Sequence, residues 1–203
     1  MASVVEICAN ALRMLGAQPI TDLGDDTERA RLCNALWPSV RDASLRAHPW
    51  RFARVRATLA KKSVGPVWGY ANAFQLPTTP VCLRIWQTSL DVLDQPWEKE
   101  ADTIVTDVSS VNIVYIAQIE DPGLYDASFI AAAQARLASE LAYPIASSTA
   151  LAQGMWSLYA LKLKEARFLD SSEASPSGVR SDDLTNVRFG AMRNSTLPIR
   201  VIS

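Results

Sequence analysis

The side chains that could carry out chemistry are few and scattered. His48 is the only histidine in the chain, and the three cysteines, Cys8, Cys33 and Cys82, stand far apart. A nucleophilic serine or cysteine needs a base beside it, and no G-x-S-x-G or comparable signature accompanies His48. That imidazole precedes Pro49 at an expected helix exit and reads as a structural or surface residue. One histidine and three separated thiols supply no closely spaced ligand pair for a metal. Asp25-Asp26 reads as a helix start and Asp182-Asp183 as a solvated turn. With eight glycines, at positions such as Gly65, Gly69, Gly123 and Gly178, neither a dinucleotide-binding fingerprint nor a P-loop can be written. The residues therefore predict no catalytic, cofactor or metal site, and a protein that is not an enzyme. The thiols read as buried and free, as in a reducing cytoplasm, rather than as a disulfide or metal ligands.

Charge is where the sequence concentrates. Between Thr27 and Lys62 stand nine cations, Arg29, Arg31, Arg41, Arg46, Arg51, Arg54, Arg56, Lys61 and Lys62, against Glu28 and Asp42, a local +7 in a chain of formal charge -1. Interleaved with Trp50 and Phe52, these arginines could track a phosphate backbone, in which case binding would weaken steeply with salt. Alternatively, a basic helix face meets the acidic surface of a neighbouring subunit or partner. An overall pI near 5.9 argues against a dedicated DNA binder.

The element that must position this charge is residues 26–59. Asp25 or Asp26 can cap a helix, Glu28 suits its positive end, and apolar residues recur at Cys33, Leu36, Trp37, Val40 and Ala47. Pro38 should kink the helix near Trp37 and Pro49 should end it, with Trp50-Arg51-Phe52-Ala53 anchoring the exit. A first helix runs from about Ser3 to Leu15, with a Ser3/Glu6 capping pattern and Gly16 placed for a left-handed cap. The short linker makes the second helix its natural antiparallel partner.

From about Val67 to Gln118 the pattern alternates, through Phe74 and Leu76, Val81 to Trp86, Thr103 to Val105, and Val111 to Ile116, and predicts a small antiparallel sheet or open barrel. Helical signal returns from Asp126 to Tyr143, where Pro144 should stop it, and again from about Ser148 to Asp170. The predicted fold is α+β and mainly α: a four-helix bundle formed by residues 1–62 and 120–170, a small antiparallel β insertion at 63–119 between helices 2 and 3, and an extended C-terminal arm at 171–203. That last segment, rich in Ser, Asn, Gly and Asp, carries isolated hydrophobes and arginines. It reads either as a disordered terminus or as an arm that orders on a partner.

At 203 residues, 49% hydrophobic and 20% charged, the chain belongs to the soluble globular class, long enough to bury roughly 70% of its unfolded surface. It has no apolar run of membrane-spanning length and no signal-peptide layout.

One resemblance joins these parts. The short helix VVEICANALRMLG, an acidic turn, the helix ending RDASLRAHPWRFA and then WGYANAFQLP resemble, in this order and spacing, the phage tail tubular protein A family, the head-to-tail adaptors of short-tailed phages. The resemblance runs from about Ser3 to about Asp170. It implies a structural virion protein, made in the host bacterial cytoplasm, that sits at the head-tail interface as a ring of twelve copies. The partners implied are the portal protein on one side and the tail nozzle, or tail tubular protein B, on the other. DNA would pass through the channel during ejection without sequence-specific binding, and no membrane is involved. On this reading Arg188, Phe189, Met192, Arg193, Leu197, Ile199 and Arg200 engage the portal or a neighbouring subunit, and Arg41, Arg46, Arg51 and Arg54 face a subunit interface or the channel. The alternative is a DNA-binding accessory protein that uses the basic helix 27–62.

Overall fold

The first helix begins where its cap does. In the computed structural model, which describes residues 2–173, the Ser3 hydroxyl accepts the Glu6 N–H at 3.1 Å and opens α1, Val4–Met14. Gly16 closes it at φ +71°, with the N–H groups of Gly16 and Ala17 donating to the carbonyls of Arg13 and Leu12, both at 3.0 Å. The second helix, α2, Glu28–Arg46, is capped by Thr27, whose hydroxyl accepts the Ala30 N–H at 3.2 Å. The neighbouring aspartates do other work. Asp25 gathers the N–H groups of Thr21 and Asp22, each at 3.1 Å, and these bonds hold its carboxyl below the usual carboxylate range. Pro38 lies within α2 and does not end it. It deprives the Asn34 carbonyl of its donor, but both residues are exposed, so water can take that acceptor.

After a three-residue 3₁₀ turn, Arg51–Ala53, the chain turns to strands. β1 (Arg54–Thr58), β7 (Asn112–Ala117) and β4 (Cys82–Thr88) form one antiparallel sheet in the order β1-β7-β4. β2 (Ala60–Lys61), β3 (Asn72–Gln75), β6 (Thr103–Thr106) and β5 (Trp97–Glu100) form a second, in the order β2-β3-β6-β5. Between them Leu59 is the corner at which the chain passes from the first sheet to the second, its N–H donating to Val111 at 2.9 Å. A short helix, α3 (Ser89–Val92), follows β4 and carries a complete capping box between Thr88 and Asp91. The remaining helices are α4, Ala127–Ala146, and α5, Thr149–Ser172.

The structure replaces the expected four-helix bundle with a small sheet insertion. The described residues form five α-helices and seven strands in two antiparallel sheets. The reason is the amount of apolar surface in the alternating region. Leu59, Phe74, Leu76, Ile104, Val111, Ile113 and Tyr115 are all buried, and one small sheet offers a single face to cover them; two sheets enclose them in a core of their own. The strands also start earlier than the alternation suggested, at Arg54.

The helical side differs too. α4 is the hub against which both α1 and α2 pack, because Ala133 and Ala138 on its buried face let backbones approach closely. α5 buries only Tyr159 and Ala166 completely, so it is not an equal fourth member. Nor does Pro144 stop α4, which continues to Ala146 and ends at Ser147 in the left-handed conformation, φ 50°. A proline in the last turn sacrifices just one helical bond.

Contacts divide the chain into a unit Met1–Asp170 and a second, Ser171–Ser203, of which only Ser171–Glu173 is described.

Candidate interaction surfaces

The exit of α2 draws together side chains from α2, α4 and α5. Pro49 ends the helix, and Trp50 then turns inward, 1% exposed, with its indole N–H donating to the Ser44 carbonyl at 3.0 Å. Its ring meets Phe129 edge-on at 5.1 Å between centroids, and Phe129 in turn contacts Phe52 at 5.2 Å and Tyr125 at 5.0 Å. Beside this cluster, His48 Nε2 lies 2.9 Å from Asp170 Oδ2 at the far end of α5. The other Asp170 oxygen accepts the Arg51 N–H at 2.9 Å, and Arg167 donates to the Ala47 carbonyl at 2.6 Å. Burial, joined by the nearby Arg167 and Arg54 charges, lowers the His48 pKa against the opposing pull of Asp170. These contacts clamp α5 to the exit of α2.

The four arginines singled out in the sequence are engaged in holding this region together. Arg41 is buried and pairs with Asp42 at 2.8 Å and Glu120 at 3.7 Å. The Arg46 guanidinium donates to the Leu83 carbonyl, Arg51 Nε to the Asp170 carbonyl at 2.7 Å, and Arg54 Nε to the Pro49 carbonyl at 2.7 Å. They do not form one row on one helix, since α2 ends at Arg46 and Arg54 already stands on β1.

A different basic surface emerges on the outside of the first sheet. In register, Arg54 and Arg84 flank Ile116 from either side, and Arg56 and Gln87 flank Val114. The Trp86 ring lies between two guanidiniums, 5.5 Å from that of Arg54 and 5.9 Å from that of Arg84. Ile116 packs into the helical core, so that end of the face is covered. The other end opens as a groove of about 650 Å³ lined by Arg56, Thr58, Gln87, Ser89, Asn112 and Val114. Sequence reasoning missed Arg84 and Trp86. The signal was present as two-residue spacing, Arg54/Arg56 and Arg84/Trp86, once those segments are read as strands.

The outside of the second sheet has the opposite character. The loop between β2 and β3 raises Val67, 100% exposed, and Trp68, 87% exposed, beside Glu98 and Glu100 of β5. The Tyr70 hydroxyl reaches Glu98 Oε1 at 3.3 Å. A third apolar surface runs along α5, where Leu161 and Phe168 are exposed and Trp156 lies over the Arg136 guanidinium at 5.8 Å.

Arg188, Phe189, Met192, Arg193, Leu197, Ile199 and Arg200 lie outside the described residues. The thiols of Cys8 and Cys33 meet across α1 and α2, and that hydrogen bond together with burial pushes the Cys8 thiol up; Cys82 is half-buried. Among the described residues no group of three or more histidines, cysteines and acids could hold a metal, and no helix is long and apolar enough to cross a membrane. No protein-family model matches the sequence, and no curated protein matches it.

Proposed function

We propose that this chain is a structural virion protein, a head-to-tail adaptor that forms a ring between the portal and the tail nozzle around the DNA channel. The observation that carries the reading is the loop bearing Val67 and Trp68. Trp68 opens the WGYANAFQLP segment on which the family resemblance rests, and with Val67 just before it the loop holds two large apolar side chains in water, where they contribute nothing to the monomer's own core. Exposed apolar surface of this kind marks a protein contact. The mechanism is geometric: one modest contact is repeated from copy to copy, and closure, at twelve copies on the family's pattern, multiplies it into a stable collar. The C-terminal segment, with Arg188, Phe189, Met192, Arg193, Leu197, Ile199 and Arg200, engages the portal or a neighbouring copy. No catalysis is part of this role.

The test is the native mass of the purified chain, alone and mixed with the portal ring encoded by the same genome. The expected result is that the 22.2 kDa chain joins the portal ring to saturation. Exchanging Phe189, Met192, Leu197 and Ile199 for serine should weaken that uptake. A chain that ignores the portal overturns the reading.

One observation supports a second reading, DNA binding. Trp86 between the Arg54 and Arg84 guanidiniums, with Arg56 nearby, is a combination that suits a phosphate backbone and stacked bases. Binding to random duplex whose affinity falls steeply with salt, in a chain indifferent to the portal, would favour it.

A further inference from the structure

The two sheets share one buried core, so their outer faces point away from each other, and the two faces carry opposite charge. Val55, Ala57, Ile113 and Tyr115 of the first sheet turn inward toward Phe74 and Ile104 of the second. The alternate positions turn outward. On the first sheet these include Arg54, Arg56 and Arg84, and no acidic residue occurs in β1, β4 or β7. One carboxylate, Asp91, borders its groove, accepting the Trp97 indole N–H and the Thr88 N–H, each at 2.9 Å; it keeps its charge, and the three arginines outnumber it. On the second sheet the outward positions of β5 are Glu98 and Glu100. The nearby cation Lys62 is committed to Asp102 at 3.8 Å, and Lys61, opposite Phe74 in register, projects from the other side. Above Glu98 and Glu100 stand Val67 and Trp68.

We infer that these faces are two halves of one heterologous contact between copies of this chain. The loop of one copy inserts Val67 and Trp68 into the groove beside Val114 of the next, while Glu98 and Glu100 meet Arg56 and Arg84. The inference rests on the ring reading above and specifies its repeating joint. Three features commit the occupant to a second copy. The charges are complementary, the protruding apolar residues have a concave counterpart, and both halves are present on every chain. Because the two halves differ, the contact is heterologous, so the repeat closes into a ring or continues as a filament and does not stop at an isologous dimer.

Charge reversal tests the joint in the full chain. Arg56→Glu with Arg84→Glu, and Glu98→Arg with Glu100→Arg, alter exposed side chains outside both cores; Arg84 gives up its contact with the Trp86 ring and Glu98 its bond from the Tyr70 hydroxyl, so the melting temperature should fall slightly while the chain stays folded. Each pair alone should raise the concentration for half-assembly, read by sedimentation velocity, by about a hundredfold. Mixing the two variants should restore assembly, since each then offers the other one reversed and one native pairing. Trp68→Ala should weaken assembly roughly tenfold without touching any core residue. Reversed chains that assemble like wild type overturn the joint and leave the ring reading standing. A wild type that stays at 22.2 kDa at every concentration overturns self-contact, and the ring reading then stands or falls on portal binding. Duplex binding lost on arginine reversal, with self-assembly unchanged, assigns the basic face to nucleic acid instead.

Discussion

Trp50 is the side chain on which the α2 exit depends. Almost wholly buried, it touches His48, Phe52 and Phe129 and donates to the Ser44 carbonyl, which also accepts the Ala47 N–H at 3.2 Å, so Trp50→Ala leaves a cavity and removes one of that carbonyl's two hydrogen bonds. The expected loss is about 3–5 kcal/mol, measured by denaturant unfolding. His48 gives the same region a pH dependence. Its folded pKa lies below the unfolded value of about 6.5, because burial disfavours the imidazolium. The unfolded chain therefore takes up that proton first as pH falls. The stability associated with the neutral ring is complete above the unfolded pKa and is lost as pH drops through it. The melting temperature of wild type should fall between pH 7.5 and 5.5 more than that of His48→Gln, and parallel curves would remove His48 from the account. The Trp50 anchor was legible because a bulky aromatic directly after a helix-ending proline has few places to go. The identity of the α2 cap was less so. Asp25, Asp26 and Thr27 can all accept an N–H, and the choice of Thr27 depends on Asp25 being drawn into the preceding turn.

At the scale of elements, α1 and α4 were readable from period and caps and α2 from its period, and the miscounts have physical causes. Proline is a poor stop signal where the helix has one turn left, as at Pro144. β1, RVRAT, carries charge at alternate positions and β5, WEKE, at three successive ones, so both lack the apolar density that marks a strand; their pairing with β7 and β6 makes them strands. α3 was hidden because its capping box spans only one turn. α4 owes its hub position to small side chains, which gives a direct test. Ala138→Leu, at a site with no exposure, should overpack the contact with α1 and α2 and cost about 1–3 kcal/mol, read as a lower unfolding midpoint. A neutral or stabilising effect would mean that space remains beside α4.

For the molecule as a whole, the sequence made a mixed helical and β protein readable but not its division into two cores, because partition of apolar residues between layers is a long-range choice that local period does not encode. The candidate surfaces were legible in part. The charge concentration at 27–62 was visible, yet folding spends Arg41, Arg46 and Arg51 on internal bonds and assembles the open basic face from β1 and β4, which lie far apart in the chain. Two strands join the two cores: on β4, Leu83 packs among the helices and Ile85 between the sheets. On β7, Ile116 packs among the helices while the adjacent Tyr115 packs between the sheets. Neighbouring residues on a single extended segment are thus bolted into separate layers. A pull on the sheets is passed to the helices through β4 and β7 without an intervening hinge, and Met1–Asp170 should behave under load as one stiff strut.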